Sequence, residues 1–373
     1  MTAVSSSPLA VQFEPTFDPP PAMAATPALV DNFNHFQRHS KPATELSWAV
    51  LREAGAPVAA APVVRLRRRA VTDMLVPPWR RRLGWLGPVI RKTTLLVDTA
   101  FLAYDETGPF QIAAGFDRTT AKRAIADFLC RQKKIDTVWI SERPDEAAWA
   151  AADKWDQFST LPMTSIDLSG IATFDDYLAG LSKKRRRNYR HESQVFADAG
   201  AVVEIVEGPL VDRPQLVAEL THLLAASESH SELVAPYNDV LIDPQAFAEQ
   251  RQTALIARVD GRAVGFMCFL QAGERWMQCH GGLDYARSHE VLAYHNLIYA
   301  GVRTAIERGC RAMTMGPLNN ETKRRAATDL HPVVASVWNR WPADRLVASK
   351  FLFPKFGVYY GPIGDPLAAA AGD

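Results

Sequence analysis

The chain has 373 residues, 47% hydrophobic and 22% charged, with a net charge of +1. That length suits two domains with well-packed cores, and the composition excludes wholesale disorder and a uniformly polycationic surface. No run of about 18 apolar residues occurs, so no transmembrane helix is expected. Met1–Pro21 is rich in Ser and Pro and lacks a basic start followed by an apolar stretch; the expected compartment is therefore the cytoplasm. Cys130, Cys268, Cys279 and Cys310 stand far apart with no CxxC pair, which argues against a disulfide framework or a cysteine zinc site.

In chain order, residues 1–25 read as a disordered arm. Leu46–Leu51 and Val58–Arg65 read as two strands joined through the Gly55 turn. A helix follows from Thr119, with Ala121, Ile125, Phe128 and Leu129 on one face, and then a short strand, Thr137–Ile140. A seam lies near Thr160–Gly170, where a short strand, Ser165–Leu168, precedes a helix that opens at Thr173 with Asp176 three residues on. That helix reads as continuous through Leu181 and the cationic run beyond it. The second half gives strands at Ala254–Val259, Ala263–Gln271 and Glu274–Gly281, with Asp260-Gly261 as the first turn. A helix over Glu290–Arg308 ends at Gly309, and Arg311–Met315 is the strand after it.

Both halves thus give an antiparallel meander, a helix and a strand. That order predicts an α+β chain with mixed sheets used twice, divided as 26–160 and 161–373.

Charge is unevenly placed. Arg65, Arg67, Arg68, Arg69, Arg80, Arg81, Arg82, Arg91 and Lys92 form one basic cluster, with Trp79 and Trp85 interleaved. Lys183, Lys184, Arg185, Arg186, Arg187 and Arg190 form a second, and Lys323, Arg324 and Arg325 a third. Cations three and four apart share a helical face, and such a face suits a polyanionic ligand as well as it suits solvent.

His280-Gly281-Gly282 ends a strand and is followed by Leu283-Asp284-Tyr285. Glycines there would admit a ligand close to the backbone, with His280 and Asp284 as proton acceptors and Tyr285 as a proton donor. Cys279 and His280, adjacent on a strand, should point to opposite faces, which disfavours Cys–His catalysis. Met315-Gly316-Pro317 ends the later strand, and Lys323 in the loop beyond it is placed to hold a developing oxyanion. No His/Cys/Asp/Glu group with metal-ligand spacing is read from the chain, so no metal and no bound cofactor are expected. Serine-hydrolase, zinc-protease, P-loop and dinucleotide fingerprints are absent from the sequence.

Phe174-Asp-Asp-Tyr-Leu-Ala-Gly-Leu-Ser-Lys-Lys-Arg-Arg-Arg-Asn-Tyr-Arg resembles the opening helix of the Fem-like and cellulose-biosynthesis-type branch of the GNAT acyltransferase superfamily. Cys279-His280-Gly281-Gly282, the Leu292–Gly309 helix, Met315-Gly316 and Lys323 are similar to that branch's later strand, long helix, glycine-containing strand end and lysine. The resemblance spans about residues 160–330. It implies a tandem GNAT-like fold with a degenerate first copy, and transfer of an acyl or aminoacyl group from acyl-CoA or aminoacyl-tRNA to an amine by direct attack. It places Lys323 near the reacting carbonyl; from the residues themselves, Lys183–Arg187, Gly281, Gly282 and Gly316 are expected to contact the substrates. The usual Gly-rich pyrophosphate loop is not legible in Gly282–Glu290. The competing reading is a non-catalytic protein that binds RNA or another polyanion on the same scaffold.

Overall fold

The computed structural model describes residues 9–345, apart from 22, 24, 25, 71–81, 84, 86–90, 100, 101, 103–107, 231–237, 319, 343 and 344. Trp79, Arg80 and Arg81 of the first basic cluster lie outside the described residues. Two mixed sheets form the molecule. The first contains β1 (Leu9–Glu14), β2 (Thr44–Glu53), β3 (Ala56–Ala70), β4 (Arg91–Val97), β5 (Gln111–Ile112), β6 (Thr137–Glu142) and β7 (Asp156–Ser159). The second contains β8 (Met163–Asp167), β9 (Val202–Glu207), β10 (Thr253–Val259), β11 (Arg262–Ala272), β12 (Arg275–Leu283), β13 (Ala312–Pro317) and β14 (Asp329–His331), in the order β14-β8-β13-β12-β11-β10-β9. The last strand, β15 (Val334–Asn339), returns to the first sheet and lies between β6 and β7.

The described helices are α1 (Pro27–Arg38), α2 (Arg118–Arg131), α3 (Ala148–Ala152), α4 (Phe174–Gly180), α5 (Lys183–Asp198), α6 (Pro214–His230), α7 (Asn238–Leu241), α8 (Pro244–Glu249), α9 (Tyr285–Glu290), α10 (Ala293–Glu307) and α11 (Glu321–Ala326). Each sheet holds one parallel pair joined through a helix: β4 and β6 through α2, and β12 and β13 through α10. This is the repeated meander, helix and strand, and the architecture is a tandem GNAT-like α/β fold.

Three expectations are corrected. The arm is not irregular throughout: Leu9–Glu14 pairs antiparallel with β2, because Val11 and Phe13 alternate onto the apolar face under α2. The helix expected to run on from Thr173 is two helices. Thr173 and Asp176 make a complete capping box on α4, and Ser182 then caps α5 by accepting from the Arg185 amide at 3.3 Å. The helix expected over Glu290–Arg308 is a single helix but starts later, at Ala293, because Leu292, with φ of 55°, separates it from the short α9 that ends at Glu290.

α1 positions one sheet on the other. Its Leu29, Val30, Phe33 and Phe36 pack into one cluster with Trp48 and Leu96 of the first sheet and Leu270, Ala272 and Met277 of the second. On the far face of the second sheet, α4, α5 and α10 enclose Trp276, Phe269, Met313 and Met315. Arg303 lies over Phe174 at 4.6 Å, and Tyr189 meets Tyr299 edge-on at 4.8 Å, so α4, α5 and α10 share an aromatic seam.

Candidate active site

β12 and β13 run parallel and pair only through Arg275, Trp276 and Met277 against Ala312, Met313 and Thr314. Beyond Met277 and Thr314, each strand pairs only on its outer edge: β12 with β11 as far as Leu283, and β13 with β8 as far as Pro317. The inner edges part at their C-terminal ends and leave a wedge into which an extended ligand can be laid. In the first sheet β4 stays paired with β6 to its last residue, Val97 against Ile140. Lys122 and Glu142, each 2% exposed and 2.5 Å apart, are buried on α2 and the end of β6 there. Only the second sheet opens among the described residues.

Lys323 sits at this mouth. The sequence reading put it in a loop; it lies in the short helix α11, capped by Asn320, whose Oδ1 accepts from the Lys323 amide at 2.8 Å. Its side chain is 6% exposed, and its Nζ donates to the Pro317 carbonyl at 3.3 Å. Among the described residues that is the hydrogen bond its ammonium makes, which leaves two N–H groups for a ligand. Burial lowers its pKa to about 8. Arg324 and Arg325 are exposed and both pair with Glu321, so the third basic cluster resolves into one buried cation and two neutralised ones.

A titratable group missed in the sequence lies beside it. His295, in the first turn of α10, has its Nε2 3.8 Å from Glu192 of α5 and 3.5 Å from the hydroxyl of Thr322, the residue before Lys323. Glu192 also accepts from the Tyr299 hydroxyl at 2.6 Å, while its backbone carbonyl accepts from the Asn296 amide nitrogen at 3.1 Å. Burial lowers the His295 pKa, opposed by the Glu192 charge, so the ring is mostly neutral at pH 7. Its signal in the sequence was the polar pair His295 and Tyr299, one turn apart beside the apolar stripe.

The other expected catalytic residues lie elsewhere. His280 is 6% exposed between Phe36 and Phe247 on the α1 face, with Nε2 2.8 Å from Gln250 Oε1, and burial lowers its pKa to about 4. α11 instead packs its Ala326, and Ala327 that caps it, on the opposite cluster. Asp284 accepts from the Arg287 amide as the cap of α9, and Tyr285 is exposed and stacked on His230 at 4.3 Å. Cys279 and His280 do not point to opposite faces. A β-bulge between Cys268 and Phe269 leaves Cys279 unpaired in β12, and both side chains turn to the α1 and α8 side, Cys279 toward Gln252 and His280 toward Gln250. Burial raises the Cys279 thiol well above its ordinary value, which removes the thiolate that nucleophilic catalysis needs.

The glycines divide similarly. A Cβ on Gly282 would lie 2.6 Å from the backbone of Leu223 and Leu224, so this glycine serves the close approach of α6 to β12. Gly281 faces the other way, toward Gln278, whose Oε1 is buried without a partner at the start of the wedge. Gly316 takes φ 71° at a register shift between β13 and β8, re-aiming the Pro317 carbonyl that receives Lys323.

The basic clusters also separate. Arg65 and Arg67 pair with Glu45, and Arg69 with Asp239. On α5, Arg186 donates to the Ala179 and Leu181 carbonyls that end α4. Lys183, Lys184, Arg185 and Arg187 make no ion pair with any described residue. They crowd the N-terminal turn, the end where the helix dipole opposes cations.

The parted parallel strands after a meander define this as the GNAT-like arrangement, carried on the second of two copies. No protein-family model matches the chain, and no curated protein does. Solved structures do. The C-terminal domain of a putative lysylphosphatidylglycerol synthetase from Agrobacterium fabrum is similar at TM-score 0.51 and 11% identity, covering 90% of this chain and 94% of that one. FemX is similar at TM-score 0.52 and 9% identity, covering 85% and 93%. At such identities the likeness is one of fold.

Proposed function

We propose that the chain is an N-acyltransferase that moves an acyl or aminoacyl group from acyl-CoA or aminoacyl-tRNA to an amine by direct attack. The observation that carries this is the wedge between β12 and β13 with a buried, hydrogen-bond-hungry lysine at its mouth. An ammonium is costly to bury beside a single carbonyl, and a developing oxyanion is the partner that offsets the cost. In the reaction, His295, backed by Glu192, takes a proton from the attacking amine as the C–N bond forms. Lys323 holds the tetrahedral oxyanion, which collapses as the bond to the carrier's sulfur or oxygen breaks and the carrier leaves with a proton. Lys183, Lys184, Arg185 and Arg187 grip the phosphates of the carrier. Arg187 and Glu192 are five residues apart on one helix, about 7.5 Å along its axis, so the cations stand within reach of the reacting centre.

The test offers acyl-CoAs and charged tRNAs with an amine acceptor and follows the acceptor's mass. A mass gain that depends on Lys323 supports the reading. Salt-sensitive RNA binding with no transfer from any carrier overturns it in favour of a binding protein on the same scaffold.

A further inference from the structure

Away from the wedge, on the opposite face of the second sheet, α1 and α8 bring together His35, His39 and Glu249. One ligand atom from each lies within 4.8 Å of the other two. His39, the C-cap of α1, follows His35 by four residues, and the two rings come together with centroids 5.0 Å apart. Glu249 comes from the last turn of α8, more than two hundred residues later, and its Oε2 is 3.2 Å from His39 Nε2. The sequence reading found no ligand-spaced group because this set is completed only by folding; the spacing His35-x-x-x-His39 was its half-visible sign.

Three features make the group more than a chance ion pair. His35 is 7% exposed and its Nε2 lies 2.8 Å from the Ala246 carbonyl, which obliges Nε2 to carry the proton and leaves the lone pair on Nδ1. That is the outer hydrogen bond by which metal-binding histidines are oriented. Two imidazoles with centroids 5.0 Å apart repel one another when both are protonated, and an ion shared between them relieves this. Among the described residues, the competitor for the Nδ1 lone pair is Arg38, at 3.2 Å. Arg38 is exposed, and its other bond, to the Asn34 carbonyl, is a long 3.4 Å, so the guanidinium is free to swing into solvent.

We propose that His35, His39 and Glu249 bind one divalent transition-metal ion of the zinc class, which clamps α1 to α8. Two imidazoles and one carboxylate form a borderline ligand set that suits Zn2+ or Co2+ and not Mg2+ or Ca2+. Tetrahedral zinc places its ligand atoms about 3.3 Å apart, the separation His39 and Glu249 already have at 3.2 Å, so binding draws His35 in toward that pair. Glu249, with 36% of its side chain exposed, leaves the fourth position to water. The clamp runs beside the hydrogen-bonded chain from His280 through Gln250 to Asn32 of α1, at 2.8 and 2.6 Å. The ion therefore joins the two halves of the molecule and takes no part in the transfer chemistry.

The experiment is a Zn2+ titration of the full chelator-treated chain by calorimetry, with Co2+ absorption as a report of ligand geometry. One Zn2+ per chain, a raised unfolding midpoint and the strong visible bands of four-coordinate Co2+ are expected. His39→Gln and Glu249→Gln should each weaken Zn2+ binding at least tenfold, and Arg38→Ala should strengthen it. Absence of Zn2+ binding by the wild-type chain overturns the proposal without recourse to any variant. Undiminished binding in His39→Gln and Glu249→Gln overturns it equally, since the ion would then sit elsewhere.

Discussion

The ammonium of Lys323 and the carbonyl oxygen of Pro317 lie 3.3 Å apart, three residues beyond the last pair of β13 with its parallel partner. The left-handed turn at Gly316 aims that carbonyl, and α11 delivers the lysine six residues later. If Lys323 holds the oxyanion, its interaction is stronger in the transition state than in the ground state. Lys323→Met should lower turnover by roughly 10²–10³ and leave substrate affinity nearly intact. Burial holds the lysine at about 8, so in the wild type the charged form, and turnover with it, should fall as pH rises through about 8. The variant should lack that alkaline limb. The native state binds fewer protons here than the unfolded chain between about 8 and the ordinary 10.5, so the burial cost is carried in full below pH 8. Lys323→Met should therefore raise the unfolding midpoint at pH 7, and a variant that is both less stable and equally active would remove the lysine from the mechanism.

The cations of α5 should behave in two ways. Replacing Lys183, Lys184, Arg185 and Arg187 together by Ala should weaken carrier binding at low salt, with a loss that shrinks as salt rises. Arg186→Ala should leave the salt dependence nearly unchanged, because its guanidinium is held by the Ala179 and Leu181 carbonyls. Its cost should appear as about 1–2 kcal/mol of stability, the worth of charge-assisted bonds to two carbonyls. Carrier affinity and urea midpoints across a salt series separate the two.

Much of the scaffold was legible because it rests on local pattern. Period-two alternation located the meanders, Gly309 stopped α10 as a left-handed residue, and Thr173 with Asp176 announced α4. The site was less legible because it depends on partners distant in the chain. Lys323 was visible as a lysine beyond a strand end, but its burial shows only once β13 and α11 are in place. His295 stayed out of view because its partner Glu192 meets it across more than a hundred residues. His280 was misread because the bulge at Cys279 is set by register against β11, which no alternation along β12 reveals. The return of β15 to the first sheet left no local mark at all.

His280 should govern acid stability and not the rate. Its pKa is about 4 in the folded chain against an ordinary 6.5, because burial disfavours the imidazolium. The native state thus binds fewer protons than the unfolded chain between these values. The stabilisation is present in full above 6.5 and is lost as pH falls toward about 4, a decline of roughly 3 kcal/mol for such a shift. His280→Gln should flatten the stability profile across that window and keep turnover within a few-fold of wild type. A large loss of turnover with unchanged stability would return His280 to the reacting centre.

In the proposed mechanism His295 is the general base, and its pH dependence tests that role. A neutral imidazole accepts the amine proton only while it is unprotonated, so turnover should fall as pH drops through the folded pKa of this ring. Burial sets that pKa below the ordinary 6.5, and the Glu192 carboxylate 3.8 Å away opposes the shift. The acid limb of the wild-type profile should therefore lie below pH 6.5. Glu192→Gln removes the opposing charge and should move the limb further toward acid, while Tyr299 loses its charged acceptor. His295→Gln should lower turnover by roughly 10²–10⁴, the range of general base catalysis, and abolish the limb, with carrier affinity held by α5 unaffected. If the limb persists unmoved in both variants, the proton goes to water or to another group, and the pairing of His295 with Glu192 is a matter of packing α5 against α10.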